Sequence, residues 1–338
     1  MKKSLLLPGC VLLLSTLCGV ALAQGKTDSA AIEKALNNAQ EKFKDVSEGK
    51  NADYIPALAK VPSKLFGIAL VTTDGKLYAV GDADSLFSIQ SISKVFTMAR
   101  VIQDQGEQKI EDSVGVDATG QVFNSIVAIE QYRGHQMNPL VNPGAIATTG
   151  MISGKTAEEK WATIIATYDD FAGRKLEVNK EVYESEAATN QRNQAIGALM
   201  YAYELIKDDS KMVTDVYTKQ CSVNVSAKDL AQMAATLANG GRNPISKKQI
   251  IDSRHVPGIL AVMATAGLYD DSGIWLYHVG LPAKSGVGGG IIAVAPGRFG
   301  IAAFSPPLDA AGNSVRAQRA IRSVSDELDA NLFASTPR

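Results

Sequence analysis

Near the start of the chain, apolar residues recur at the spacing of one helix face. The pattern runs from Ile32 to Phe43, and Asp28 and Ser29 precede it as candidate helix caps. These signals together predict a first helix that packs its apolar face against the rest of the protein.

Short apolar runs of strand character then occur in two groups, separated by a long region of mostly helical pattern. In the first group, Leu65–Val71 and Leu77–Val80 flank Asp74-Gly75, a dipeptide typical of hairpin turns. The helical pattern extends from about residue 91 to about residue 265. The second group of predicted strands consists of Trp275–Val279, Ile291–Val294 and Phe299–Phe304.

The last predicted strands are joined by Pro296-Gly297, which is the expected turn of a second hairpin. A final helix is expected to begin near Asn313 and to end at about Phe333. Hairpins at both ends of the chain favour one antiparallel sheet, with a largely helical part inserted between them. The pattern predicts an α/β (α+β) fold with sheet parts at about 60–90 and 270–338, forming one catalytic unit over 24–338.

Residues 1–23 are interpreted separately, because they have the features of a signal peptide. Lys2 and Lys3 form a positive start, an apolar stretch follows, and Ala21-Leu22-Ala23 is a small-residue cleavage site. No later segment is long and apolar enough to cross a bilayer. We therefore expect cleavage near Ala23 and a soluble periplasmic or secreted protein without a stable membrane anchor.

Composition excludes several classes of function. The chain has 338 residues, 46% hydrophobic and 20% charged, with a net charge of −1, so no broad basic surface for nucleic acid is indicated. It contains no phosphate-binding glycine loop. The three histidines are scattered, and Cys221 is the one cysteine after the leader, so neither a metal site nor another cofactor is expected.

Ser91-Ile92-Ser93-Lys94 is the strongest candidate for chemistry. On the first turn of a helix, Ser91 and Lys94 would share one face, about 5–6 Å apart at Cβ. Serine needs a neighbouring base, and lysine serves as one only when neutral. The segment is apolar, so burial and the positive end of the helix are expected to lower the pKa of Lys94.

Lys284-Ser285-Gly286 is a second segment with possible chemistry, at the edge of a predicted strand. Lys-Ser/Thr-Gly strands accompany Ser-x-x-Lys nucleophiles in penicillin-recognising enzymes. Such a strand can supply one backbone N–H to an oxyanion hole, beside the N–H of the nucleophile. By itself the segment is better explained as a strand end followed by a flexible glycine turn; its pairing with Ser91 and Lys94 favours catalysis.

From about Tyr54 to Val315 the chain resembles the serine-dependent glutaminases, which have a β-lactamase-like fold. The motifs that carry this resemblance are Tyr54–Ala59, Gln90–Lys94, Asn138–Ile146, Ala234–Gly241, His278–Val287, Ser305–Asp309 and Gly312–Val315. The resemblance implies hydrolysis of L-glutamine to L-glutamate and ammonia through a glutamyl-enzyme intermediate. It also implies a homo-oligomer.

The same resemblance implies a role for each site residue. Ser91 would be the nucleophile and Lys94 its base, with Tyr217 and Tyr269 as further catalytic candidates. The residues implied to hold the substrate are Tyr54, Ser91, Asn142, Glu186, Asn193, Tyr217, Tyr269 and Val287. These types suit a glutamine zwitterion, which needs one acid for its ammonium and several neutral donors.

Two other classes of protein remain open from the sequence. A serine β-lactamase or penicillin-binding protein would share the fold, although the chain lacks a Ser-Asp-Asn motif. A periplasmic amino-acid-binding protein would retain the polar pocket but would have no need of Ser91 with Lys94. Asn142, Glu186 and Asn193 could each also be ordinary turn or helix residues.

Overall fold

The computed structural model describes residues 28–131 and 137–334, so the predicted signal peptide lies outside the described residues. The helices are α1 (Ser29–Phe43), α2 (Pro56–Ala59), α3 (Ser93–Gln105), α4 (Glu107–Ser113), α5 (Val127–Glu130), α6 (Asn142–Met151), α7 (Ala157–Ala172), α8 (Lys180–Thr189), α9 (Gln191–Ala202), α10 (Ser210–Cys221), α11 (Ala227–Ala238), α12 (Val256–Ala266), α13 (Ser272–Val279) and α14 (Val315–Glu327). The strands are β1 (Gly67–Thr72), β2 (Leu77–Gly81), β3 (Phe87–Ser88), β4 (Glu177–Val178), β5 (Val223–Val225), β6 (Ala283–Gly286), β7 (Gly290–Ala295) and β8 (Phe299–Phe304).

The main sheet has five antiparallel strands in the order β2-β1-β8-β7-β6. Strands β1 and β2 come from the first part of the chain and the other three from the last part. Strand β1 lies beside β8, with Gly67 opposite Phe304 and Thr72 opposite Phe299. This pairing confirms the predicted α/β fold with a sheet assembled from both chain ends.

Helices cover both faces of the sheet, so its central strands are buried on both sides. In β1, Ile68 and Leu70 face one hydrophobic cluster, which includes Leu36 of α1 and Ile321 of α14. The alternate residues of β1 face a second cluster, which includes Leu230 of α11. Burial on both faces explains why these strands read as continuous apolar runs rather than as alternating patterns.

The inserted part is mainly helical, as predicted, but it also holds a small sheet that the pattern did not indicate. Its three antiparallel strands have the order β3-β5-β4 and contain only two or three residues each. Such segments are too short to show an alternation of apolar and polar positions. Strand β3 leads directly into the segment that carries Ser91.

The predicted strand at Trp275–Val279 is wrong, because these residues belong to helix α13. Trp275 and Val279 are buried four residues apart, whereas Tyr277 between them is exposed, which is the pattern of a helix face. A short apolar run does not separate a helix from a strand by periodicity. The third C-terminal strand is instead β6, which contains the Lys-Ser-Gly segment.

Both predicted hairpins are present, and the predicted first helix is α1, where the Asp28 side chain accepts a hydrogen bond from the N–H of Ala30. The final helix is shorter than expected and ends at Glu327. Among residues 28–131 and 137–334, no helix combines the length and apolar character of a bilayer span.

Candidate active site

Ser91 lies in a single 3-10 turn, Gln90–Ile92, that continues directly into α3. The sequence placed Ser91 in the first helical turn itself, so the structure shifts it just ahead of the α-helix. Strand β5 holds the residue before this turn, because the Ile89 N–H donates to the Val223 carbonyl at 2.8 Å. Gln90, directly before Ser91, has a φ of 49°, a backbone conformation that is uncommon outside glycine.

Lys94 is buried in the first turn of α3, with 1% of its surface exposed. Its Nζ donates to Asn142 Oδ1 at 2.7 Å and lies 3.5 Å from the Leu140 carbonyl oxygen. Burial lowers the pKa of Lys94 from 10.5 to about 8, although Cys221 and Glu186 oppose this shift. A measurable fraction of the amine is therefore neutral near physiological pH, as a base for serine requires.

Asn142 connects three parts of the inserted helical region. It is the first residue of α6, and its Nδ2 donates to Asn193 Oδ1 on α9 at 2.9 Å. Its Oδ1 accepts a hydrogen bond from the Tyr217 hydroxyl on α10 at 3.2 Å, in addition to the bond from Lys94. The structure thus brings four of the residues singled out from sequence into one network.

Glu186 extends from α8 into the same region and is almost fully buried, with 7% of its surface exposed. Gln90 Nε2 donates to Glu186 Oε2 at 3.3 Å. Burial raises the pKa of Glu186 to about 7, while the bond from Gln90 and the charge of Lys94 lower it. Glu186 has no ion-pair partner among the described residues, and a buried carboxylate of this kind can bind a cation.

Tyr269 is buried and contacts both Ser91 and the Lys-Ser-Gly strand. Its hydroxyl donates to the Ser285 carbonyl at 3.2 Å, and a hydrogen bond with Ser91 acts to lower its pKa. Burial is the larger effect and raises the pKa of Tyr269 well above 10. Burial raises the pKa of Tyr217 in the same direction, so both phenols are neutral at physiological pH.

Lys284 of β6 is fully buried behind Tyr269. Its Nζ lies 4.3 Å from the centre of the Tyr269 ring and donates to the carbonyls of Gly267 and Ser285, at 2.9 and 2.7 Å. Burial, together with the nearby charge of Lys94, lowers the pKa of Lys284 well below its usual value. The Lys-Ser-Gly strand therefore places a second buried amine near Lys94.

Val287 follows β6 and lines the pocket beside Ser91. The turn after β6 packs closely on the segment that leads to Ser91: a Cβ added at Gly288 would lie 2.4 Å from the Ser88 carbonyl oxygen. Only glycine permits such an approach. The backbone after the Lys-Ser-Gly strand and the backbone around Ser91 are thus held side by side.

These residues surround one cleft of about 200 Å³. Of the residues proposed from sequence, those that line it directly are Tyr54, Ser91, Asn142, Glu186, Asn193, Tyr217 and Val287. Lys94 and Tyr269 do not line the cleft themselves. Lys94 donates a hydrogen bond to Asn142 and Tyr269 forms one with Ser91, and both of these partners line the cleft. Tyr54 stands at the mouth, with 55% of its surface exposed. Within the described part of the chain, no group of three or more His, Cys, Asp or Glu side chains is arranged to hold a metal ion.

Three residues that received no individual role from the sequence lie at or beside this cleft. Gln90 contacts Glu186, Lys284 lies against Tyr269, and Cys221 lines the cleft with its Sγ 3.9 Å from Ser93 Oγ. Gln90 and Lys284 were part of recognised motifs, so their positions were a usable signal. Cys221 gave none, because an isolated cysteine on a helix is usually a packing residue.

Comparison with known proteins supports one family. The sequence profile of the glutaminase family matches residues 49–333. A glutaminase of Colwellia psychrerythraea is 54% identical over 302 residues, which cover 89% of this chain and 97% of the relative. A solved structure described as the probable glutaminase ybaS superposes with a TM-score of 0.89 at 46% identity, covering 91% of this chain and all of the other.

A more distant solved structure is a probable glutaminase from Bacillus subtilis, complexed with 6-diazo-5-oxo-L-norleucine. It has a TM-score of 0.80 and 28% identity, and the match covers 93% of this chain and all of that one. The likeness therefore extends over most of the chain that builds the cleft. By sequence and by structure, this chain belongs to the glutaminase family.

Proposed function

We propose that the chain hydrolyses the side-chain amide of L-glutamine by acyl transfer through Ser91, with Lys94 as the base. The observation that carries this mechanism is the burial of Lys94 one helical turn from Ser91. Its lowered pKa of about 8 leaves about a tenth of the amine neutral at pH 7. A neutral amine can take the proton of the serine hydroxyl, whereas an ammonium cannot.

Tyr217 and Tyr269 have a role other than that of the base, because their raised pKa values keep them protonated. A neutral phenol donates a hydrogen bond and is a poor base. Tyr269 contacts Ser91 and is placed to pass a proton between the serine oxygen and the departing nitrogen. Tyr217 holds Asn142 Oδ1 and so supports the amide that contacts Lys94.

The cleft offers complementary groups for the rest of the substrate. Glu186 supplies the negative charge for the α-ammonium, and a charge-assisted hydrogen bond of this kind is about twice as strong as a neutral one. Asn142 and Asn193 supply amide donors for the α-carboxylate, while Tyr54 stands at the mouth. The backbone N–H groups of Ser91 and Val287 form the oxyanion hole.

The reaction has two steps. In the first, the Ser91 oxygen bonds to the amide carbon, Lys94 takes the hydroxyl proton, and the C–N bond breaks as the nitrogen gains a proton and leaves as ammonia. In the second, water attacks the glutamyl ester, the bond to Ser91 breaks, and the serine oxygen regains its proton. The products are L-glutamate and a free enzyme, with no oxidant or cofactor consumed.

A direct test uses ammonia release and covalent labelling together. The diazoketone 6-diazo-5-oxo-L-norleucine is a glutamine analogue that can alkylate a nucleophile with loss of dinitrogen. We expect the intact mass of the wild type to increase, and peptide mapping to locate the added mass on the peptide that contains Ser91. Ser91→Ala is expected to show no increase. Ser93→Ala is the matched control, because Ser93 is a neighbouring buried serine outside the cleft lining.

Ammonia release from glutamine by the wild type, lost in Ser91→Ala and retained in Ser93→Ala, supports the assignment. Side-by-side assays with a chromogenic cephalosporin test the β-lactamase alternative. Glutamine binding without any turnover by the wild type would instead indicate a binding protein and contradict the proposal.

We also propose that the protein is exported and assembles with copies of itself. The first proposal rests on the leader pattern of Lys2, Lys3 and Ala21–Ala23, and the second on the resemblance to glutaminases. Export predicts a periplasmic or secreted product that begins at Gln24, read by terminal sequencing after cell fractionation. Light scattering of the purified protein tests the assembly, and a monomer at working concentration would contradict it.

A further inference from the structure

Tyr269 has an unusual backbone for a residue that contacts the nucleophile. Its φ is 53°, in the left-handed region that a bulky side chain rarely adopts. Such a conformation is strained and persists only where the surroundings hold it. Within its own turn, the Tyr269 carbonyl accepts from Ser272 Oγ at 2.8 Å, and the Leu268 N–H donates to the same Ser272 oxygen at 3.0 Å.

A second segment, the loop Asp309–Asn313, supports this turn from outside it. Asn313 is fully buried, and its Nδ2 donates to the Leu268 carbonyl oxygen at 3.4 Å. Asn313 also lies near Asp271, the last residue of the turn Tyr269–Asp271, where its hydrogen bonding opposes the burial that raises the pKa of Asp271. One asparagine therefore lies beside residues on both sides of the strained tyrosine.

The same loop also touches the tyrosine ring and the residue proposed for the oxyanion hole. Gly312 has a φ of 97°, and a Cβ added there would lie 3.6 Å from Tyr269 Cε2 and 3.7 Å from Val287 Cγ1. The loop backbone thus lies against both side chains. Tyr269 and Val287 are linked by this loop although they follow different elements, α12 and β6.

The loop is rigid by its own hydrogen bonds. Asp309 Oδ1 accepts from the N–H groups of Ala311 and Asn313, at 3.0 and 2.9 Å, and the Asp309 N–H donates to the Asn313 carbonyl at 2.8 Å. Gln318 of α14 holds the other carboxylate oxygen at 2.7 Å. Asn313 is therefore fixed before it contacts the Tyr269 turn, so it can impose a position on that turn.

We propose that Asn313 is a positioning residue for Tyr269, and that the loop Asp309–Asn313 sets the Tyr269 hydroxyl against Ser91. This inference rests on the proposed role of Tyr269 in acyl transfer. It assigns a function to a segment that does not line the substrate cleft. Since Glu186, Asn142 and Asn193 lie on other elements, loss of Asn313 affects the chemical step rather than substrate binding.

Steady-state kinetics on four proteins test this: the wild type, Asn313→Ala, Tyr269→Phe and the double variant. Asn313→Ala is expected to lower kcat about tenfold with KM within about twofold, because binding groups stay in place. In the Tyr269→Phe background, where the hydroxyl is already absent, the same change is expected to alter kcat by less than about twofold. Such non-additivity shows that Asn313 acts through Tyr269.

Asn243→Ala is the matched control for loss of stability. Asn243 is also fully buried and holds the carbonyls of Asp170 and Phe171, but it lies away from the cleft. It is expected to lower Tm while leaving kcat of the folded enzyme unchanged. If Asn313→Ala lowers Tm by a similar amount and also lowers kcat, the kinetic effect is separate from destabilisation.

Each other outcome decides against the inference. An equal loss of kcat from Asn313→Ala in both backgrounds would make Asn313 independent of Tyr269 and overturn the inference alone, with the proposed function intact. A wild-type kcat for Tyr269→Phe would remove the proposed proton role of Tyr269, and the inference with it. Wild-type kcat for Asn313→Ala would also overturn the inference.

Discussion

Lys94 Nζ lies 2.7 Å from Asn142 Oδ1, so the proposed base is bonded directly to a residue of the substrate cleft. The amide orientation of Asn142 is fixed by this contact, because its oxygen accepts from both Lys94 and Tyr217. Its NH₂ group consequently points toward Asn193. Proton transfer and substrate recognition are therefore coupled through one neutral side chain.

Lys94→Ala is expected to abolish most turnover, because general-base catalysis contributes about 10²–10⁴ in rate. In the wild type, kcat/KM is expected to rise with pH through about 8, since the neutral form of Lys94 is the active one. A pH-rate profile of ammonia release measures both effects. Retention of more than about a tenth of the activity by Lys94→Ala, a penalty below about 1.4 kcal/mol, would move the base role to a tyrosine.

Asn142→Asp tests the coupling between Lys94 and the cleft. A carboxylate at this position would face the Lys94 ammonium and favour its charged form, so the pKa of Lys94 would rise. We expect the acid limb of the pH-rate profile to move upward by about one pH unit or more. Asn142→Ala is the control: it removes the same amide without adding charge, so it is expected to weaken turnover without that upward shift.

Glu186→Gln retains size and shape but removes the charge proposed to bind the substrate ammonium. Loss of a buried charge partner costs about 2–5 kcal/mol, so kcat/KM for glutamine is expected to fall severely. Hydrolysis of a slow acyl substrate without the α-amino group is expected to change far less. Glu184→Gln, an exposed change on the same helix, is the control. Equal losses on both substrates would show that Glu186 acts in the chemistry or the fold.

The same Glu186→Gln variant is expected to differ in stability. The pKa of Glu186 is about 7 in the folded protein and near 4.5 when free, so between these values the folded state keeps a proton that the unfolded state releases. The free energy of unfolding therefore falls as pH rises from about 4.5 to about 7, by up to about 3 kcal/mol. The buried Lys94 and Lys284 have lowered pKa values and act in the opposite direction, but both are present in the two proteins. Urea unfolding at pH 5 and pH 8 should therefore show a change in stability that is more negative in the wild type than in Glu186→Gln. An equal pH dependence of unfolding in the two proteins would mean that the pKa of Glu186 is not raised by folding.

The sequence was sufficient to predict the sheet from both chain ends, because the hairpins at Asp74-Gly75 and Pro296-Gly297 carry strong local signals. It was not sufficient for α13, where a five-residue apolar run fits either periodicity. The strands β3, β4 and β5 were missed because each is defined by its partners rather than by its own residues. Short elements of this kind depend on tertiary contacts.

At the site, Ser91 and Lys94 could be named from their motif and Glu186 from the resemblance to glutaminases, and the structure brings all three to the same region. The contact of Lys284 with Tyr269 and the support from Asn313 could not be predicted. Both depend on how separate segments approach after folding, and residues such as 269 and 313 are distant in the chain. Backbone strain at Tyr269 also has no signature in composition or spacing.

The final prediction concerns Gly300, where β8 meets α11. A Cβ added at Gly300 would lie 2.1 Å from the Ala235 backbone nitrogen, a distance that neither main chain can accommodate without moving. Because β8 is the central strand of the sheet, Gly300→Ala is expected to destabilise the fold by about 1–3 kcal/mol, as overpacking typically does. Gly273→Ala is the matched control, since a Cβ there meets no atom within 4 Å and alanine favours the helix. Chemical unfolding of both variants measures the difference, and equal stability of the two would contradict a close approach of α11 to β8.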